Sequence, residues 1–117
     1  MTDPWPTVSV VLPVRDEADG LAGAVASVLE QDYPLEFDVW LAVAPSTDGT
    51  EAIAARLADD DPRVHVVDNP AGVTPAGLNA AIRASSGDVI VRVDGHARLS
   101  PGYIRRAVET LRATGAV

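Results

Sequence analysis

The chain is 117 residues long, enough for one compact domain with a real core and too short for two. Apolar residues make up 47% and charged residues 22%, and 9 basic residues (all arginine) against 17 acidic ones leave a formal charge of −8. That balance argues against a binder that works by neutralising nucleic-acid phosphates. The absence of lysine and cysteine excludes a P-loop lysine, a Schiff base, a thiol nucleophile, a disulfide and a thiolate metal site.

In chain order, short β-branched runs alternate with segments of helical period. Val8 to Leu12 reads as a first strand, stopped by Pro13. From Asp16 to about Gln31, Leu21, Val25, Val28 and Leu29 fall on one face of a first helix, ended by Pro34. Phe37 to Val43 predicts a second strand covered on both faces. A second helix follows, with Ile53, Ala54, Leu57 and Ala58 as its apolar stripe, and Arg63 to Val67 predicts a third strand opening after Pro62. Thr74 and Pro75 predict the N-cap and first residue of a third helix through Leu78, Ala81 and Ile82, closed by Gly87 as a left-handed cap. Asp88 to Val93 predicts a fourth strand. Ser100-Pro101 repeats the cap-and-proline signal before a last helix, running to about Arg112 and lined by Ile104, Ala107, Val108 and Leu111.

The order β-α-β-α-β-α-β-α implies right-handed crossovers and an α/β fold with a Rossmann-like parallel sheet. Such sheets bind ligands at the carboxyl ends of their strands. Three of those ends stand out: Pro13-Val14-Arg15, Ala44-Pro45-Ser46 and Asp94-Gly95-His96. The acidic, proline-rich start from Met1 to Pro6 is unlike a signal peptide. The apolar run Val39 to Ala44 is far short of the ~20 residues a membrane span needs, so a soluble chain is the expectation.

Asp94-Gly95-His96 is the sharpest local feature. A carboxylate and an imidazole two residues apart can face one way on an extended segment, with Gly95 allowing close approach. Together they suit a borderline divalent ion such as manganese; a plain polar turn is the competing reading. Pro13-Val14-Arg15-Asp16-Glu17 spans a strand-to-helix turn whose free amides would suit an anion, or whose acids simply complement the helix dipole. Ser46-Thr47-Asp48-Gly49-Thr50 is equally a ligand loop or an ordinary cap. Asp59 to Asp61 reads as a solvated loop, and His65 as a solvent-facing strand residue. The dinucleotide fingerprint G-x-G-x-x-G and the hydrolase elbow G-x-S-x-G are both missing.

In sum these residues resemble the N-terminal, nucleotide-binding half of family-2 glycosyltransferases of the GT-A fold. Val8 to Glu17 resembles the opening strand and its P-x-x-N-E turn, with Asp16 where Asn is common. Val28 to Pro34 resembles the S-L-L-x-Q-x-Y-P helix end, and Ser46 to Thr50 the G-S-x-D-G-T segment. Gly77-Leu78-Asn79 and Gly87-Asp88 match the later pattern, and Asp94-Gly95-His96 falls where the metal-binding D-x-D stands. The D-G-H-A stretch with P-x-Y-I after it is similar to succinoglycan-type exopolysaccharide transferases.

The resemblance implies one nucleotide-sugar-binding domain over residues 1–117, part of a longer GT-A domain. It places Pro13, Val14, Arg15, Glu17 and Ser46 at the base and ribose, Asn79 near the nucleotide, and Asp94 and His96 on the diphosphate through a divalent cation, manganese or magnesium. The implied partners are a nucleotide-sugar donor and a glycan or lipid-linked acceptor, with no nucleic acid. The implied location is the cytoplasm, at the inner face of the cell membrane through a C-terminal part outside this chain. The acceptor-deprotonating base would also lie outside it, so no catalytic residue is assigned here and the chain alone is expected to be an incomplete catalyst. One departure bears on specificity: Val43-Ala44-Pro45 replaces the family's paired aspartates, removing a carboxylate that would read the base. A nucleotidyltransferase and a non-catalytic nucleotide-binding or interaction module are the alternatives. The former would want a glycine-rich loop with a basic residue after the first strand, which Pro13-Val14-Arg15 matches poorly.

Overall fold

The structure is a computed structural model and describes residues 5–114. Eight elements alternate along it: β1 (Val8–Val14), α1 (Leu21–Leu29), β2 (Asp38–Val43), α2 (Thr50–Asp60), β3 (Val64–Asp68), α3 (Thr74–Ala84), β4 (Val89–Arg92) and α4 (Tyr103–Thr114). Every strand pair is parallel, in the order β3-β2-β1-β4. The parallel α/β architecture expected from the alternation is the one found.

The chain steps outward from β1 to β3 through α1 and α2, then returns past β1 through α3 to reach β4. A single crossover handedness puts α3 on the opposite face from α1 and α2. The packing agrees. Val8, Val10, Leu12 and Val14 turn to a large core with Leu21, Val25 and Val28 of α1, Ala54 of α2, and Ile104 and Val108 of α4. Val11 turns the other way, to Ala42 and Ala81, in a smaller cluster with Trp40, Leu78 and Ile90. Strand order therefore reverses between β1 and β4, the switch point where open α/β sheets leave a crevice.

Helix α4 is fastened by one side chain. Gln31, buried just past α1, accepts the Ile104 N–H on Oε1 at 3.0 Å and donates from Nε2 to the Ser100 carbonyl at 2.9 Å and the Ser27 carbonyl at 3.2 Å. The Leu99 N–H donates to Ser27 Oγ at 3.0 Å, so the loop after β4 is tied to α1 at two points.

Several boundaries differ from the sequence expectation. β1 runs through Pro13, which pairs in register with Ala42. The Val11 carbonyl accepts from Val93 and the Val14 carbonyl from Ala44, so odd residues of β1 face β4. Pro13 faces that side beyond the last ladder bond, where its missing N–H is not needed. The first helix starts at Leu21, not Asp16, and the last at Tyr103, not Ser100. α3 begins at Thr74 with Val73 as its cap residue, so Thr74 and Pro75 both lie inside the helix. Gly87 is not a left-handed cap, since α3 has already ended at Ala84. It is glycine because a Cβ there would lie 2.5 Å from Ser9 N. His65 is half-buried and stacks on Trp40, with ring centroids 4.4 Å apart. Asp59 and Asp60 are exposed in the last turn of α2, while Asp61 pairs with Arg63 at 2.9 Å.

Candidate functional site

The turn after β1 and the turn after β2 are joined side by side. Asp16 takes a positive φ of 49°, which aims its carboxylate at the neighbouring turn, where Oδ1 accepts from the Thr47 N–H at 2.8 Å and the Thr47 hydroxyl at 3.2 Å. In return the Asp16 N–H donates to Ser46 Oγ at 3.0 Å, Glu17 N–H to Thr50 Oγ1 at 2.9 Å, and Ala18 N–H to Asp48 Oδ2 at 3.1 Å. Asp48 Oδ1 also accepts from the Thr50 N–H and hydroxyl. These bonds, the Thr50 hydroxyl first and the Ala18 amide next, hold the Asp48 carboxyl below its ordinary range. The amides after β1, expected to be free for an anionic ligand, are consumed by this clamp. With Asp16 at a positive φ no helix can start there, and a turn in which the Glu17 carbonyl accepts from the Gly20 and Leu21 N–H groups leads into α1.

Beside the clamp, a cleft of ≈ 600 Å³ opens at the carboxyl ends of the strands, within the size range of small-molecule sites. Pro13, Val14, Arg15 and Glu17 form one wall, and Asp94, Gly95 and His96 stand at its lip beside Arg92. Gly72, Val73, Thr74 and Pro75, between β3 and the start of α3, form the other wall. Arg15 Nη1 reaches the Gly72 carbonyl at 3.4 Å, joining the two walls. The cleft sets Arg15 and Arg92 against Glu17 and Asp94, so its local charge is far less negative than that of the chain.

Of the residues expected at the site, Pro13, Val14, Arg15, Glu17, Asp94 and His96 line this cleft together. Ser46 and Asn79 do not. Ser46 is engaged in the clamp, its hydroxyl donating to the Ala44 carbonyl at 3.0 Å. Asn79 sits exposed on α3. Val43 is buried against the α1–α2 core, while Ala44 is the residue of β2's end that lines the cleft. Asn69 and Arg92, which no sequence motif singles out, also line the cleft. Asn69 stands at the carboxyl end of β3, the strand end left out of the sequence reading.

At the lip, His96 Nδ1 lies 3.2 Å from Glu17 Oε1, and Asp94 Oδ1 lies 3.8 Å from the Arg92 guanidinium. The room that Gly95 leaves is taken by Glu17, for a Cβ there would lie 3.1 Å from Glu17 Cγ. Among the described residues no group of three or more acidic or histidine side chains gathers as a metal cage. The Asp94 and His96 side chains are 61% and 67% exposed, leaving one oxygen and one nitrogen ligand open to the cleft. That donor set fits a cation completed by a ligand's phosphate oxygens and water, rather than one enclosed by protein.

An open parallel sheet with a charge-balanced cleft at its switch point is the α/β architecture that takes ligands at the carboxyl ends of its strands. The chain belongs to glycosyl transferase family 2, whose family model matches residues 9–117. It is similar to the succinoglycan biosynthesis protein ExoA of Rhizobium meliloti, 37% identical over 109 residues that cover 92% of this chain and 33% of that protein. It is also similar to the glycosyltransferase AglE of Haloferax volcanii, 32% identical over 98% of this chain and 38% of that protein. Among solved structures, the mannosyltransferase PcManGT from Pyrobaculum calidifontis, in complex with GDP-Man and Mn2+, matches with a TM-score of 0.83. That likeness is at 28% identity and covers 93% of this chain and 36% of that one. The chain thus spans 33–38% of the length of these relatives.

Proposed function

We propose that this chain is the donor-binding part of a glycosyltransferase that moves a sugar from a nucleoside diphosphate to a glycan or lipid-linked acceptor. The observation that carries this reading is the cleft at the β1–β4 switch point, with Arg15 and Arg92 in its walls and Asp94 and His96 at its lip, in a family-2 chain. Pro13 and Val14 back the nucleoside, and the two guanidinium groups face its phosphates. Asp94 and His96 would hold a divalent cation, manganese or magnesium, which neutralises the diphosphate as it leaves. Glu17 orients the His96 ring through Nδ1, as a carboxylate beside a ligating histidine does. The manganese and GDP-Man present in the Pyrobaculum structure support this arrangement.

The chain's own residues then bind and orient the donor. No group in the cleft is assigned as the base that deprotonates the acceptor, and that role is proposed for a part of the protein outside these residues. Titration of the chain with UDP-glucose and GDP-mannose, with manganese and with EDTA, tests the reading. Manganese-dependent binding of at least one donor supports it. Binding of neither, or binding indifferent to EDTA, contradicts it.

A further inference from the structure

Arg92 and Asp94 line a second cavity besides the donor cleft, and the two cavities share no other residue. This one, of ≈ 660 Å³, takes nothing from β1, β2 or β3 and runs instead along Ala97, Arg98 and Leu99 to Tyr103 at the start of α4. Arg98 makes no hydrogen bond or ion pair among the described residues. The other arginines at this end do. Arg92 faces Asp94, and Arg106 donates to the Pro101 carbonyl and Ser100 Oγ. Yet the Arg98 guanidinium is seated against the fold, for a Cβ at Gly23 of α1 would lie 2.3 Å from its Cζ and Nη2. Glycine is unfavourable inside a helix, so α1 gives up helix propensity where this side chain rests. An arginine held in place with its N–H donors unspent is prepared for the oxygens of a carboxylate or a phosphate.

The charge around it agrees. Two guanidinium groups, Arg92 and Arg98, face the single carboxylate of Asp94 in this cavity, although the chain as a whole carries −8. A cation on Asp94 would leave both guanidinium groups without a counter-charge. Tyr103 is 40% exposed, and the donor cleft has no phenylalanine, tyrosine or tryptophan. Its ring gives a sugar an apolar face to rest on and its hydroxyl a hydrogen bond.

We infer that this cavity seats the acceptor, and that the acceptor carries a phosphate or carboxylate gripped by Arg98 and Arg92. This rests on the reading of the neighbouring cleft as the donor site, because Asp94 then marks the end where the diphosphate leaves and an incoming hydroxyl approaches from across it. The test is NMR titration of the chain in EDTA, which on that reading leaves the donor site idle. Glucose 1-phosphate, glucuronate and methyl glucoside are the probes, on wild type, Arg98→Gln and Arg98→Lys. At least one acidic sugar should bind wild type, the one that does identifying the anionic group, and methyl glucoside should bind at least ten-fold more weakly. Arg98→Gln should weaken the acidic sugar about ten-fold. Arg98→Lys keeps the charge without the fork and should recover part of that loss. Arg98 is exposed, so both variants should fold, and their affinity for UDP with manganese should equal that of wild type. Methyl glucoside binding as tightly as the acidic sugars, acidic-sugar affinity unchanged in Arg98→Gln, or no binding of any probe overturns the anionic acceptor and leaves the donor site standing. A loss of UDP affinity in Arg98→Gln also overturns it, by placing Arg98 at the donor. Wild type that binds no UDP or GDP with manganese overturns the donor reading and the acceptor assignment with it.

Discussion

Gln31→Leu isolates the fastening that ties the loop after β4, and with it Asp94 and His96, to the body of the fold. Leucine keeps most of the volume and removes all three hydrogen bonds. The Ile104 N–H at the start of α4 is then left buried without an acceptor, since Ile104 is 0% exposed. An orphaned buried donor costs about 1–3 kcal/mol, and the two carbonyls on Ser27 and Ser100 lose weaker bonds that water replaces in part. The expected loss is about 2 kcal/mol in urea unfolding, with an unchanged m-value. Gln31→Glu adds a sign test. Its ionised carboxylate would face two carbonyls, so the folded state favours the protonated acid and the variant's pKa rises on folding. Its stability relative to wild type should therefore be highest at acid pH and fall as pH rises through the carboxyl range. A Gln31→Leu loss under about 0.5 kcal/mol, below the range for an unsatisfied buried donor, would refute the argument that Gln31 fastens α4.

Other outcomes follow from the same geometry. Gly87→Ala places a Cβ 2.5 Å from Ser9 N and 2.6 Å from Ser9 Oγ, against backbone that cannot yield, and thermal unfolding should show a loss of about 1–3 kcal/mol. Asp48 is held below the ordinary carboxylate range, so its clamp contributes stability above that range and loses it as pH falls through the folded pKa. Melting temperature should drop in acid, and Asp48→Asn should flatten part of that drop; Asp61, which Arg63 holds down in the same direction, contributes another part. Ala44→Asp would put a carboxylate into the cleft where β2 ends, and competition binding should show a stronger preference for UDP or GDP, whose bases present a ring N–H, over ADP.

The strand and helix order was legible because it rests on local period: Leu21, Val25 and Val28 face one way whatever lies elsewhere in the chain. The element ends were less so, because they depend on distant partners. Asp16 and Glu17 look like a helix start, but side chains about thirty positions away, in the turn after β2, take their amides. Gly87 looks like a cap, but its reason is Ser9 on the neighbouring strand. Asp94 and His96 stand out by their spacing at a strand end, and both line the cleft. Asn69 stands at a strand end too, followed by Pro70, yet its burial arises only when α3 packs over β2. The family pattern puts Ser46 at the nucleotide, and in the structure its hydroxyl is bonded within the clamp.

The central claim is that Asp94 and His96 hold the cation on which donor binding depends. Calorimetry of GDP and UDP with manganese, on wild type, Asp94→Ala and His96→Ala, tests it most directly. Wild type should bind in a manganese-dependent way, and affinity should fall at least ten-fold in each variant, with the folded state of both intact by circular dichroism. Equal affinity in all three proteins would contradict it.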